Sequence, residues 1–424
     1  MSAKPAPRKA EVDGKRLWQS LMDMAAIGAT EKGGVCRLTL TELDGKGRDL
    51  FVRWAREAGC DIRVDRIGNI FARRPGRDPG RPPIVTGSHL DTQPTGGKFD
   101  GSYGVMAGLE VVRTLNDLGV DTQAPVEVAV WTNEEGSRFV PVMMGSGVYA
   151  GVHDLQHVLA QEDRDGVKVG DALAAIGYAG KEMRAPEAGA YFEAHIEQGP
   201  VLEAERKLIG VVTGAMGQRW YNIRVQGMEA HAGPTPMEIR RDALVAAAQV
   251  VAAVNRIARE QAPDGRGTVG CLDVHPNSRN VIPGRVALTV DFRHAFDDGL
   301  GAMDRALRQA CAGLERPGEI SIEVEQAVYF PPCRFAPRLV DGVRDAAARL
   351  GYSHHDLPSG AAHDAVYLAG VAPTAMIFVP CRDGISHNEI EHAEPEHLEA
   401  GANVLLAMMM REAGVAQGSL KQLD

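Results

Sequence analysis

Apolar residues recur along this chain in two rhythms, and the rhythm changes twice. Near the start, Leu50, Phe51, Trp54 and Ala55 share one face of a helix predicted over residues 45–58. Strand-like pieces follow at 61–64, 69–73 and 83–86, then a helix over 105–118 and a strand over 126–131. Strand, polar loop, helix, strand is the order expected of an α/β domain whose helices pack on its sheet. The middle reads differently. Residues 220–225 alternate like a half-buried strand, and the Ala- and Val-rich stretch 237–261 predicts one long helix. Strands at 267–274 and 285–292 come next. Leu300, Met303, Leu307, Cys311 and Leu314 then mark a helix over 300–314, and 320–329 alternates again. Two helices among four strands predict a small α+β unit of the ferredoxin-like type. After Pro331-Pro332 the α/β pattern resumes, with a helix over 336–350 and a strand over 374–379. The predicted organisation is an α/β domain made of residues 1–213 and 331–424, with 214–330 inserted into it.

Composition narrows this picture only in places. A chain of 424 residues suits two unequal domains better than one core. With 44% hydrophobic and 24% charged residues, it has the balance of a globular protein and not of a disordered one. The net charge of -10 is spread without blocks, which disfavours a nucleic-acid partner, since neutralising phosphates needs clustered Lys and Arg. The opening MSAKPAPRKAEVDGKR is polar and lacks an apolar core, so it reads as a loose tail and not as a signal peptide. No apolar run reaches the ~18 residues of a membrane span. Six cysteines lie far apart with no CxxC, as expected of reduced thiols in a cytoplasmic protein, and they are poor zinc ligands.

The candidate chemistry lies in four loops that follow apolar strands. In GSHLDTQPTGGKFDG, His89 and Asp91 are alternate residues on one side of the chain, and Asp100 can return to the same point. Asp91 is placed to orient the His89 imidazole. In TNEEGSRF, the adjacent Glu134 and Glu135 repel each other unless a cation neutralises one. One can then bind metal while the other handles a proton. YFEAHIEQG supplies His195, near Glu193, Glu197 and Gln198, and ISHNEIEH supplies His387. Three histidines and two carboxylates make a ligand set for two divalent ions, and mixed nitrogen and oxygen donors suit Zn, Mn, Co or Ni. His363, in SGAAHDA, is a weaker candidate, and the remaining histidines apart from His231 read as structural.

These segments, together with AHAGPTPM, NVIPG and DFRH, resemble the M20 metallopeptidase superfamily. The likeness is to its amidase/hydantoinase-carbamoylase branch and runs from about residue 87 to 392. That branch holds N-carbamoyl-amino-acid amidohydrolases, β-ureidopropionases of one type and allantoate amidohydrolases. The resemblance implies a zinc-peptidase-like α/β catalytic domain with an inserted ferredoxin-like lid that also forms a homodimer. It implies two metal ions per subunit on His89, Asp100, Glu135, His195 and His387, with Asp100 bridging and Glu134 as catalytic base. His195 matches the carbamoylase branch, where peptidases of the superfamily usually carry a carboxylate. His231 matches a histidine that steadies the oxyanion in the neighbouring subunit. Arg293 matches a clamp on a substrate carboxylate, with Asn280 as its companion. Gln198 and Gly360 match contacts near the carbamoyl end, and Arg219 is a further substrate candidate. The implied activity is hydrolysis of the ureido C–N bond of an N-carbamoyl-L-amino acid or N-carbamoyl-β-alanine. Allantoate, or a plain N-acyl or peptide amide, is the alternative substrate.

Overall fold

In the computed structural model, which describes residues 10–181 and 187–416, the long apolar runs become strands buried on both faces. Strands β3 (Ile84–His89), β4 (Val126–Trp131), β5 (Ala190–Ile196) and β15 (Thr374–Val379) expose none of their residues. They run parallel in the order β4-β3-β5-β15. A parallel core of this kind needs helices on both sides. It has them: Gly108 of helix Ser102–Asp117 lies against Thr86 and Val128 on one face. On the other, Tyr149 of helix Met144–Tyr149 packs on Trp131, with ring centroids 5.2 Å apart. Antiparallel strands β1 (Asp61–Val64) and β2 (Ile70–Arg74) extend the sheet beyond β4. On the β15 side lie β6 (Ile209–Ala215), β13 (Cys333–Arg334) and β14 (His354–Ser359). Among the described residues this makes nine strands, which belong to a unit comprising Met1–Thr213 and Arg334–Asp424 save for the last two residues of β6 and Cys333 of β13.

The second unit, Gly214–Cys333, is an antiparallel sheet of β7 (Gly217–Gln226), β9 (Gly265–His275), β11 (Arg285–His294) and β12 (Ser321–Phe330). The strands lie in the order β12-β7-β11-β9, with helices Ala243–Glu260 and Asp297–Leu314 in the β-α-β-β-α-β succession. Tyr221, Ile223, Val225, Val286, Leu288, Val290 and Phe292 point to those helices and form the core with Val250, Val254, Leu300, Met303 and Leu307. A short ladder of β8 (Ala230–His231) and β10 (Val281–Ile282) carries His231.

Several expected elements shift. The helix expected over 237–261 is broken: Met237–Ile239 is a single 3-10 turn, Arg240 is extended, and the α-helix starts at Ala243. Asp242 sets that start by accepting hydrogen bonds from the Leu244 and Val245 amides at 3.0 and 3.2 Å. Of the loose tail, residues 1–9 lie outside the described residues, but helix Gly14–Ala25 begins inside it, capped by Asp13. The final helix, Pro395–Ala413, has no sequence counterpart above. It is buried nearly all round and so lacks a polar stripe to reveal its period. No helix among the described residues is long and apolar enough to cross a membrane.

A fully buried arginine ties the N-terminal segment to the sheet. Arg37 donates from Nε to the Leu90 carbonyl (2.8 Å), from Nη1 to those of Met24 and Ile27 (both 2.9 Å), and from Nη2 to Ser102 Oγ (3.0 Å). Burial pulls its guanidinium down to about 10, offset in part by Asp44 and Asp91, so it keeps its charge at neutral pH. Truncation leaves those acceptors unpaired at a cost of about 3 kcal/mol. Arg37→Met is expected to lower the thermal midpoint by several degrees, read by circular dichroism. An unchanged midpoint contradicts this role.

Candidate metal centre

The carboxyl ends of the parallel strands converge, as open α/β sheets require of a ligand site. His89 ends β3 and His195 lies near the end of β5, while Glu134 and Glu135 follow β4 and His387 lies beyond β15. Asn133, Gln198 and His387 all adopt the left-handed region, with φ near 55°, where non-glycine residues are strained. Gly101 is there too, for a visible reason: an added Cβ would come within 2.3 Å of the His89 ring. Its amide hydrogen points to His195 Nε2 at 3.2 Å.

Asp100 stands at the middle. Its Oδ1 lies 3.2 Å from His195 Nε2 and 3.7 Å from His89 Nε2, and its Oδ2 lies 3.2 Å from His387 Nε2. Glu135 Oε2 is 3.4 Å from the same His387 nitrogen. Two donor sets share Asp100, His89–Asp100–His195 and Asp100–Glu135–His387, and a third, Glu193–His195–His363, adjoins them, each with its donor atoms within 4.8 Å of one another. The backbone carbonyl of Asp91 accepts from His89 Nδ1 (2.8 Å), and that of Ile196 from His195 Nδ1 (2.9 Å). Both rings therefore turn Nε2 inward, and once neutral they present it as a lone pair, the form in which imidazole binds a metal. Glu134 Oε2 lies 3.6 Å from His89 Nε2.

Electrostatics fit a cation-binding cluster. Burial, then the carboxylates of Asp364, Glu135, Asp100 and Asp91, push Glu134 well above the usual range. Burial and Asp100 raise Glu135 to about 8, and burial raises Asp91 to about 7. Burial works against a charged His195, but its hydrogen bond to Asp100 and the charges of Asp100 and Glu193 outweigh it and hold the ring at about 9. The hydrogen bond to Asp100 raises His387 to about 9. His89, buried with no comparably close carboxylate, drops to about 4. Protons thus hold together a set of acids and imidazoles suited to a divalent cation.

Asp91 meets His89 twice: its backbone carbonyl accepts from Nδ1 at 2.8 Å, and its carboxylate lies 3.9 Å from the same nitrogen. The carboxylate accepts the amides of Glu134 (3.3 Å) and Glu135 (3.2 Å), fixing that pair. Gln198 donates to Asp100 Oδ2 at 3.0 Å, and Gly360 sits at the exposed turn after β14. Glu197 instead accepts the Val201 and Leu202 amides. His363, weighted low from sequence, is buried with its ring 4.6 Å from that of His195. Unforeseen neighbours are Glu391, Ser386, Asp364 and Gln93, whose amide donates to Glu135 Oε2 at 2.7 Å. The only signal for Glu391 was the density of acids after ISHN.

In the second unit, the Gly233 amide donates to His231 Nδ1 at 3.1 Å, so the neutral ring carries its proton on Nε2. Asp291 Oδ2 accepts from Arg293 Nε (3.2 Å) and Nη2 (3.0 Å). Asn280 accepts from Ser278 Oγ at 3.2 Å. Arg219 pairs with Phe292 in the register and shares the helix-covered face, 4.5 Å over the Tyr329 ring and 3.8 Å from Asp304, whereas Arg293 points from the opposite face.

Comparison with known proteins agrees with this arrangement. Residues 85–411 match peptidase family M20/M25/M40. An N-carbamoyl-L-amino-acid amidohydrolase of Rhizobium meliloti is 50% identical over 410 residues, 96% of this chain and 98% of the relative. An allantoate amidohydrolase of Bacillus subtilis is 32% identical over 394 residues, 92% of this chain and 95% of the relative. The crystal structure of a hydantoinase/carbamoylase family amidase from Burkholderia multivorans superposes with a TM-score of 0.93 at 60% identity, covering 95% of this chain and 98% of that one. The loops gathered on Asp100 are those of a hydrolase, and the chain belongs to peptidase family M20/M25/M40, in its hydantoinase/carbamoylase amidase branch.

Proposed function

We propose that this enzyme hydrolyses the ureido C–N bond of an N-carbamoyl amino acid, giving the amino acid, ammonia and carbon dioxide. The observation that carries the reading is the two-sided carboxylate of Asp100, with imidazole nitrogens 3.2 Å from each of its oxygens. A ureido carbonyl receives electrons from two nitrogens, so water attacks it only under strong polarisation. Two divalent cations, on His89, His195, Glu135 and His387 with Asp100 shared, would polarise that carbonyl and make a water more acidic. Zn, Mn, Co and Ni all suit these donors.

The chain's own residues do the rest. Glu134, buried and 3.6 Å from His89 Nε2, takes the proton of the attacking water and passes it to the leaving nitrogen. Gln198 and Gly360 contact the carbamoyl end. His231, with its proton on Nε2, donates to the oxyanion from a neighbouring copy in a homodimer. Arg293, braced by Asp291, grips the substrate carboxylate, with Asn280 beside it. The second unit then acts as lid and dimerisation domain. The Rhizobium meliloti relative supports an N-carbamoyl-L-amino acid as substrate. Allantoate is the second reading, since it adds a ureido arm to the same carboxylate and an allantoate amidohydrolase is among the relatives.

An ammonia-release screen with Mn, Zn, Co or Ni present tests this directly. Turnover is expected to be highest on N-carbamoyl-L-amino acids or N-carbamoyl-β-alanine, and Glu134→Gln is expected to lose about 10³-fold while keeping its metal. Preference for allantoate, or metal loss in that variant, would count against the assignment. Cation uptake should also release protons near pH 7, because His195 and His387 stand at about 9 and Glu135 at about 8 before it. Affinity should accordingly tighten as pH rises towards 9. Calorimetry in buffers of different ionisation enthalpy reads the release, and none at all would contradict the ligand set.

A further inference from the structure

Glu391 has no part in the chemistry above, yet it joins two of the loops that chemistry needs. It is nearly fully buried. Its Oε1 accepts the backbone amides of Phe99 (2.9 Å) and Asp100 (3.1 Å), nearly three hundred residues away in sequence. Its Oε2 accepts the hydroxyl of Ser386 at 2.7 Å. Ser386 precedes His387 in the chain, lies 3.3 Å from Asp100 Oδ2, and accepts the Gln198 amide at 3.1 Å. Space is kept for this carboxylate: a Cβ on Gly97 would come within 2.1 Å of it. One side chain thus pins the backbone of Asp100 and the segment carrying His387.

We propose that Glu391 is a positioning residue for cation binding, holding Asp100 and the His387 loop in the mutual placement that a shared cation requires. The inference rests on the metal-dependent reading above. Small misplacements of ligands weaken metal sites, and loss of a residue that orients them typically costs 10–100-fold in affinity. Position can be separated from charge. In Glu391→Gln the amide oxygen can still accept the Phe99 and Asp100 amides, while its NH2 donates to Ser386 Oγ. The hydroxyl proton of Ser386 is then left for Asp100 Oδ2. A positional role therefore survives in Gln and fails in Ala, whereas a role through negative charge fails in both.

The test is calorimetric titration of Mn²⁺ into the full-length protein after chelator treatment, with a thermal melt of each variant alongside. Glu391→Ala is expected to weaken Mn²⁺ binding at least about 10-fold, and Glu391→Gln to stay within a few-fold of wild type. Ser386→Ala removes the hydroxyl contacts to Glu391, Asp100 and Gln198 but keeps the two amide contacts of Glu391. It should fall between them, and it decides the matter if Glu391→Ala does not fold. Wild-type affinity in Glu391→Ala or, failing that, in Ser386→Ala overturns the inference. Equal losses in Gln and Ala overturn it as well. Those results would leave the metal reading standing. A wild-type protein that takes up no divalent ion would end that reading and this inference together.

Discussion

Too many acids are buried at one end of the parallel sheet for them all to be charged without a cation. Asp91, Asp100, Glu134, Glu193, Asp364 and Glu391 are each at most 9% exposed, and Glu135 adjoins them. Two like charges 4 Å apart repel by about 4 kcal/mol even at an effective dielectric of 20. Much of the local structure can be read as a means of keeping these groups in place. Asp91 is held by the amides of the Glu134–Glu135 pair, Glu391 by those of Phe99 and Asp100, and Glu193 by Ser88, Tyr191 and the Ala365 amide. Backbone amides and hydroxyls hold these carboxylates, and imidazoles stand at both oxygens of Asp100.

Geometry then divides the work. Parallel strands deliver His89 and His195 on rigid backbone, with tautomers set by carbonyls of their own loops. Glu134, Glu135 and His387 arrive on loops that include left-handed residues. Gly101 lets the Asp100 turn pass beneath the His89 ring. Strain at those positions is sustained by the packed sheet and by anchors such as Arg37, whose bonds close the segment next to β3.

Much of this was visible in the amino-acid order, and the gaps have physical causes. The chemistry-bearing residues fell at the ends of apolar runs, so their convergence followed from strand grammar. The antiparallel unit was legible because its strands bury one face and alternate. The final helix was not, since burial on all sides erases the 3.6-residue period. The Ala- and Val-rich helix starts at Ala243 and not at 237, because the Asp242 side chain caps it there. Glu391 and Asp364 were missed because an acid that binds only amides or hydroxyls has no spacing signature.

Under the proposed function, Asp100 would be shared between two cations. Crystals of the enzyme grown with Mn²⁺ and measured at the manganese edge decide it. Two anomalous peaks are predicted, one beside His89 and His195 and the other beside Glu135 and His387, with Asp100 between them. A single peak, or peaks away from Asp100, would contradict the account.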